Sequence, residues 1–243
     1  MSKPDVIVLP AKAEVTRAAA DRVVAAAASS IGARGRFTFA LSGGSTPRAL
    51  FELLASEAYR SRVDWARTDV CFGDERCVPP DDPQSNYRMA REALLEHVPA
   101  RVHRMRGEDE PAAAASAYER ELRELLGATP RVDLVLLGMG DNGHTASLFP
   151  GLHAVEERER WVVAEYVAEV SMWRLTVTPV VLNASAEVLF LVAGADKAAM
   201  LHRVLEGPRD ARALPAQVVA PQDGRLTWLV DAAAAAALEQ RPT

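Results

Sequence analysis

Residues 138 to 150 read Gly-Met-Gly-Asp-Asn-Gly-His-Thr-Ala-Ser-Leu-Phe-Pro and follow the apolar run Val132 to Leu137. This places one histidine, His144, in a glycine-rich turn directly after a strand. An imidazole with an ordinary pKa of about 6.5 is neutral at physiological pH and takes a proton from water, which is the work of a general base. A histidine satisfied in the core or capping a helix is the competing reading. Glycines 138, 140 and 143 also spell Gly-x-Gly-x-x-Gly, the turn of a dinucleotide site, with Glu165 where a ribose-binding acid would stand. That motif needs a long helix opening inside the turn, and Pro150-Gly151 breaks the chain too soon after Gly143. The dinucleotide reading therefore gives way, leaving a catalytic base and a structural histidine as the two readings of the turn.

Three other segments carry residues suited to anions. Ser42-Gly43-Gly44-Ser45-Thr46-Pro47 leads into apolar positions Leu50, Phe51, Leu53 and Leu54. Thr46 or Ser45 suits a helix N-cap and Pro47 a first helical position, so the loop would offer free N–H groups to a phosphate. An ordinary strand-to-helix turn is the alternative. Neither a Walker loop nor a nucleophile elbow fits these residues. Gly73-Asp74-Glu75-Arg76-Cys77-Val78-Pro79 crowds three charges, with Arg76 able to grip phosphate or an oxyanion while Asp74 or Glu75 holds it. A solvated ion cluster is the plainer reading there. Gly194-Ala195-Asp196-Lys197 ends on one of only three lysines, the others being Lys3 and Lys12. Where arginine serves as the general surface cation, a lysine at a helix start suits a phosphate, or is simply a solvated first-turn residue. His97, His103, His153 and His202 show no metal-ligand spacing, and neither metal nor cofactor is expected.

Each of these segments follows a predicted strand. Strands are expected at Phe37 to Leu41, Asp69 to Phe72, Val132 to Leu137, Arg174 to Thr178, Val188 to Ala193 and Thr227 to Val230. Helices are expected at Ala13 to Ser29, Pro47 to Ala55, Asn86 to Glu96, Pro111 to Leu126, Lys197 to Leu205 and Ala232 to Glu239. The alternation predicts an α/β fold, three-layer and Rossmann-like, with a mostly parallel sheet and helices on both faces. Ligands of such sheets bind outside the carboxyl ends of strands, so four loops on one edge describe one pocket.

The chain has 243 residues, 49% of them hydrophobic and 25% charged, enough to build one large core, and residues 1–243 are read as one domain. A net charge of -5 argues against a nucleic-acid surface, although a local basic patch would still bind a sugar phosphate. Cys71 and Cys77 suit a reduced protein without disulfides. The stretch Met1 to Pro10 forms no signal core, and no apolar run reaches membrane-spanning length, so a cytoplasmic monomer or small homo-oligomer with no membrane partner is expected.

Together the motifs resemble the 6-phosphogluconolactonase family, within the wider group that holds the aminosugar-phosphate isomerases and deaminases. The likeness is carried by Leu-Ser-Gly-Gly-Ser-Thr-Pro (41 to 47), Gly-Asp-Glu-Arg-Cys-Val-Pro (73 to 79), Gln-Ser-Asn-Tyr (84 to 87) and Leu-Gly-Met-Gly-Asp-Asn-Gly-His-Thr-Ala-Ser-Leu-Phe-Pro (137 to 150). Arg-Leu-Thr-Val-Thr-Pro-Val-Val-Leu-Asn (174 to 183) and Gly-Ala-Asp-Lys (194 to 197) add support. The deaminases place Asn-Glu-Pro beyond the histidine and Asp-Glu-Tyr in the charged loop; Ser147-Leu148-Phe149-Pro150 and Asp-Glu-Arg stand here, as in the lactonases.

The resemblance implies hydrolysis of 6-phospho-D-glucono-1,5-lactone in the oxidative pentose phosphate pathway. His144 would be the base, with catalytic support from Asp141 and Arg76 and from backbone donors of the glycine turn at the oxyanion. It implies a substrate-binding set of Ser42, Gly43, Gly44, Ser45, Thr46, Asp74, Arg76, Gly140, Asn142, Gly143, Arg174 and Lys197. One position departs: the residue two before the histidine is commonly acidic in the family and is Asn142 here, with Asp141 next to it. An amide takes no acid/base role, and the sequence does not tell whether Asp141 compensates. An aminosugar-phosphate isomerase or deaminase is the nearest rival. A sugar-phosphate sensor is another, although no DNA-binding extension accompanies it.

Overall fold

The computed structural model describes residues 4–239. In chain order the elements are β1 (Asp5–Leu9), α1 (Lys12–Arg34), β2 (Phe37–Leu41), α2 (Ser45–Ala55), α3 (Glu57–Arg60), β3 (Thr68–Phe72) and β4 (Asp74–Arg76). There follow α4 (Asn86–Ala93), β5 (Arg101–Val102), α5 (Pro111–Leu126), β6 (Leu134–Leu137), β7 (Val162–Val167) and β8 (Met172–Val177). The chain continues through α6 (Pro179–Ala184), β9 (Glu187–Val192), α7 (Ala198–Leu205) and β10 (Arg225–Asp231).

Seven strands form a parallel sheet in the order β1-β10-β9-β6-β2-β3-β5. The strands β2, β3 and β6 are buried at every position, because continuous apolar runs such as Phe37-Thr38-Phe39-Ala40-Leu41 must be covered on both faces. This is the expected three-layer α/β arrangement. Helix α1 packs on α2 and lies over β2, β9 and β10. Its buried positions Val15, Ala19, Val23 and Ala27 recur every four residues, and the small side chains let the helix lie close. Gly35 ends it in the left-handed conformation, φ 76°, with its N–H on the Ile31 carbonyl.

A second, three-stranded antiparallel sheet has the order β4-β8-β7 and packs against α5. The run Arg174 to Thr178 is a strand as expected, but it belongs to this small sheet. Ala232 to Glu239 does not form an α-helix. The Asp231 carboxylate takes the Gly194 and Ala234 N–H groups, and only a 3-10 turn, Ala234–Ala237, follows. Tertiary hydrogen bonding there overrides alanine's helix propensity. Likewise Asn86 to Glu96 stops at Ala93 before a 3-10 turn, and Lys197 sits in a 3-10 turn, Ala195–Lys197, ahead of α7. No helix among the described residues is long and apolar enough to cross a membrane.

The topology places the site. From β2 the chain moves to β3 and β5 on one side, then returns to β6, β9 and β10 on the other. The reversal lies between β2 and β6, where carboxyl-end loops diverge and leave a crevice. The loops singled out from sequence follow β9, β6, β2 and β3, which are four adjacent strands.

Candidate active site

A cleft of about 530 Å³ opens at this switch point, lined by Ser42, Gly43 and Gly44 after β2, Asp74 and Arg76 of β4, and Gly138 to Asn142 and His144 after β6. Asn86, Ala146, Phe149, Glu169, Val170 and Arg174 complete it. The segment from Gly138 to Leu152 contains no helix, so the dinucleotide arrangement is absent, and Glu165 instead accepts the Ala154 N–H at 2.9 Å.

The turn after β6 is built around the His144 ring. The Gly140 N–H bonds the His144 carbonyl at 2.9 Å, and the Gly143 N–H bonds the Gly140 carbonyl at 3.0 Å. Phe149 stacks on one face of the imidazole, with centroids 4.1 Å apart and planes 16° from parallel. A Cβ on Gly140 would collide with Cε1 and Nδ1 of the ring, so only glycine admits the ring there. Gly143, φ 79°, faces Leu214 and Met200, and its carbonyl accepts the Ala216 N–H, away from the cleft. Thr145 ties back to the Gly138 carbonyl, while Ser147 donates to Asp74 Oδ2 at 2.7 Å and its N–H bonds Thr176 Oγ1 at 3.2 Å. Ser147 thus fastens the histidine turn to both β4 and β8.

Asn142 Oδ1 stands 2.7 Å from His144 Nδ1 and accepts the His144 backbone N–H at 3.2 Å. Burial pushes the imidazole below its usual pKa; Asp74 and Glu169 oppose that push, while Arg174 and Lys197 add to it. A ring that stays neutral at physiological pH is suited to take a proton. Asp141 does not stand beside the imidazole with Asn142. Its carboxylate is 85% exposed and pairs with Lys197 Nζ, which holds it below the usual carboxylate range. The expected backbone oxyanion donors at Gly140, Gly143 and His144 are likewise used up inside the turn.

Arg76 and Arg174 face each other across the β4–β8 pair. The Nε of each is buried without a hydrogen-bond partner. Burial, then the charge of Arg76, lowers the Arg174 pKa, while the carboxylates of Asp74 and Glu75 oppose that shift. Buried polar atoms left unpaired between like charges mark a place where an anion belongs. Arg76 Nη1 bonds the Gln84 carbonyl. Glu75 does not pair with the Arg76 guanidinium. It accepts the backbone N–H groups of Arg76, Asn86 and Tyr87 and the Ser85 hydroxyl, fixing β4 to the start of α4. Burial raises its pKa against those hydrogen bonds. Asn86 donates to both the carbonyl and Oδ1 of Asp74 and lies against Gly43, where a Cβ would strike it.

The α2 N-cap is Gly44, φ 107°, and neither Ser45 nor Thr46 caps; Pro47 lies at the third helical position. Ser45 and Thr46 open the helix beside the cleft, with Ser45 Oγ 3.4 Å from Lys12 Nζ. Lys197 reaches Asp141 at the cleft's edge and does not line it. The sequence reading assigned no role to Ser147 or Glu169; each acts through a partner from another element, which spacing along the chain does not reveal. Among the described residues no cluster of three or more His, Cys, Asp or Glu could hold a metal ion.

Residues 10–228 match the family model described as glucosamine-6-phosphate isomerases/6-phosphogluconolactonase. The chain is 39% identical over 244 aligned residues to a 6-phosphogluconolactonase of Nostoc sp., covering 97% of this chain and 99% of the relative. The structure of 6-phosphogluconolactonase from Trypanosoma cruzi superimposes with a TM-score of 0.88 at 31% identity, covering 99% of each chain. A monomeric glucosamine-6-phosphate deaminase, with a TM-score of 0.80 at 23% identity, covers 96% of this chain and 99% of its own and shares the fold.

Proposed function

This chain belongs to the family of glucosamine-6-phosphate isomerases and 6-phosphogluconolactonases, and from that premise we propose that its cleft hydrolyses 6-phospho-D-glucono-1,5-lactone, with His144 as general base. The product is 6-phospho-D-gluconate, and the reaction is the lactone step of the oxidative pentose phosphate pathway. The observation that carries the reading is an imidazole held by Asn142 and Phe149 in one cleft with two guanidiniums whose Nε atoms lack partners. A cyclic ester is electrophilic at its carbonyl and needs no covalent nucleophile.

His144 Nε2 takes a proton from the water that attacks C1. The carbonyl electrons move onto oxygen, and Arg174, close enough for its charge to act on the imidazole, stabilises that oxyanion. The oxyanion then collapses, the C1–O5 bond breaks, and the imidazolium returns its proton to O5. Ser42, Gly43 and Gly44, with the first-turn N–H groups at Ser45 and Thr46 and with Arg76, hold the phosphate and orient the carbonyl. Lys197 joins them at the rim by exchanging Asp141 for a phosphate oxygen. Phe149 stacks on the ring and Ser147 is engaged by Asp74, so neither offers His144 the carboxylate that serves the histidine of a deaminase.

Unphosphorylated D-glucono-1,5-lactone tests the phosphate assignment. Losing several charge-assisted hydrogen bonds should lower kcat/KM by about 10³-fold or more relative to the phosphorylated lactone. Equal kcat/KM on both lactones would remove the phosphate site from the reading, and ammonia release from glucosamine 6-phosphate would favour the deaminase branch. For Lys197→Ala, KM should rise about 10-fold with kcat nearly unchanged. An unchanged KM would take Lys197 out of the phosphate site.

A further inference from the structure

We propose that Glu169 is a positioning residue of this cleft, holding the Asn142 amide so that His144 keeps its proton on Nδ1 and leaves Nε2 free. The proposal rests on His144 being the base, and three hydrogen bonds carry it. Asn142 Oδ1 faces the His144 backbone N–H at 3.2 Å and His144 Nδ1 at 2.7 Å. A backbone N–H only donates, so the amide atom facing it is oxygen. That oxygen only accepts, so Nδ1 carries the proton and the neutral ring's lone pair is at Nε2. The other end of the amide donates Nδ2–H to Glu169 Oε2 at 3.0 Å. A carboxylate only accepts, so a flipped amide would set oxygen against oxygen at Glu169 and N–H against N–H at His144.

The chemistry of residue 142 explains the requirement. A carboxylate at this position would accept the Nδ1 proton with either oxygen and need no orienting partner. An amide has a donor end and an acceptor end, so something must choose between them. Glu169 comes from the small sheet, on the 3-10 turn Ala168–Val170 between β7 and β8. Ser171, φ 48°, then returns the chain into β8, so that Glu169 and Val170 reach over the cleft beside the histidine turn.

The test uses the full-length protein with Glu169→Ala, Glu169→Gln, Asn142→Asp and the double variant Asn142→Asp/Glu169→Gln. Nitrogen NMR of the His144 imidazole without substrate reports the tautomer directly, and steady-state assays separate kcat from KM. In wild type Nδ1 should be the protonated nitrogen. Glu169→Ala should mix the tautomers and lower kcat about 5- to 10-fold with KM changed less than about 2-fold, the lower range for an orienting partner. Glu169→Gln, whose carbonyl oxygen accepts the same N–H, should restore both. Asn142→Asp should lose activity through carboxylate facing carboxylate and regain it when combined with Glu169→Gln, whose amide donates to the new carboxylate.

The acid limb of the pH profile provides a further readout. The groups acting on His144 are Asp74 on β4, Glu169 on the hairpin, Arg174 on β8, Lys197 after β9 and Asp141 in its own turn. Glu169 raises the imidazole pKa, so Glu169→Ala and Glu169→Gln should both move the limb to lower pH, whichever restores kcat. An unchanged tautomer and kcat in Glu169→Ala would overturn the proposal, as would Glu169→Gln behaving like Glu169→Ala. Full activity in His144→Ala would instead overturn the base assignment, so the two failures are distinguishable.

Discussion

His144→Ala is expected to lower kcat by about 10²- to 10⁴-fold, the range of a lost general base, while 6-phosphogluconate still binds within a few-fold of wild type. The separation follows from the division of labour in the cleft. Phosphate recognition is assigned to the loop after β2 and to Arg76, which the substitution leaves in place, whereas proton removal from water depends on the imidazole alone. The pH dependence has a defined sign. The base works when neutral, and burial holds its pKa below the usual value of 6.5. Wild-type activity should therefore hold across neutral pH and fall on the acid side only below about 6.5. Steady-state kinetics with product calorimetry checks both parts, and a fall in affinity with unchanged kcat would assign the residue to binding.

Gly140→Ala should reproduce most of that loss, about 100-fold in kcat, without altering any ionisable group. The added methyl would occupy the position of the His144 ring, and the ring can clear it only by giving up its stacking on Phe149 and its Nδ1 contact with Asn142. Gly140 does not use the left-handed backbone region, so alanine fits its local conformation. The protein should still fold, at a cost of about 1–3 kcal/mol for the overpacking, and carry a misplaced base. Crystallography or His144 NMR of the variant would show the displaced ring. Retained kcat would mean that catalysis does not depend on this ring position.

The four loops and the strands before them were legible because apolar runs buried on both faces end abruptly in glycine, serine and charged residues. The parallel sheet then collects those ends without further instruction. The small sheet was harder to read. Strand β4 is only Asp74-Glu75-Arg76, three charged residues that resemble a solvated loop until β8 pairs with them. The helix start at Gly44 was hidden for a related reason. Ser45 and Thr46 are better caps by propensity, yet a glycine at φ 107° makes the entry that the crevice needs.

The exchange of roles between Asp141 and Asn142 lay beyond sequence reasoning altogether. Two adjacent side chains in a turn point in different directions, and composition favours the acid. The backbone sends Asp141 outward to Lys197 and Asn142 inward to the imidazole. Glu169, twenty-five residues downstream of His144 on an exposed hairpin, carries no motif and gains meaning only from the amide it meets.

Proton release from 6-phospho-D-glucono-1,5-lactone in a pH-stat, with the spontaneous opening subtracted and His144→Ala run in parallel, asks whether the cleft is a lactonase with His144 as its base. A rate above the blank that rises in proportion to wild-type protein is expected, with a His144→Ala rate close to the blank. Wild-type protein indistinguishable from the blank, or His144→Ala as fast as wild type, would contradict that assignment.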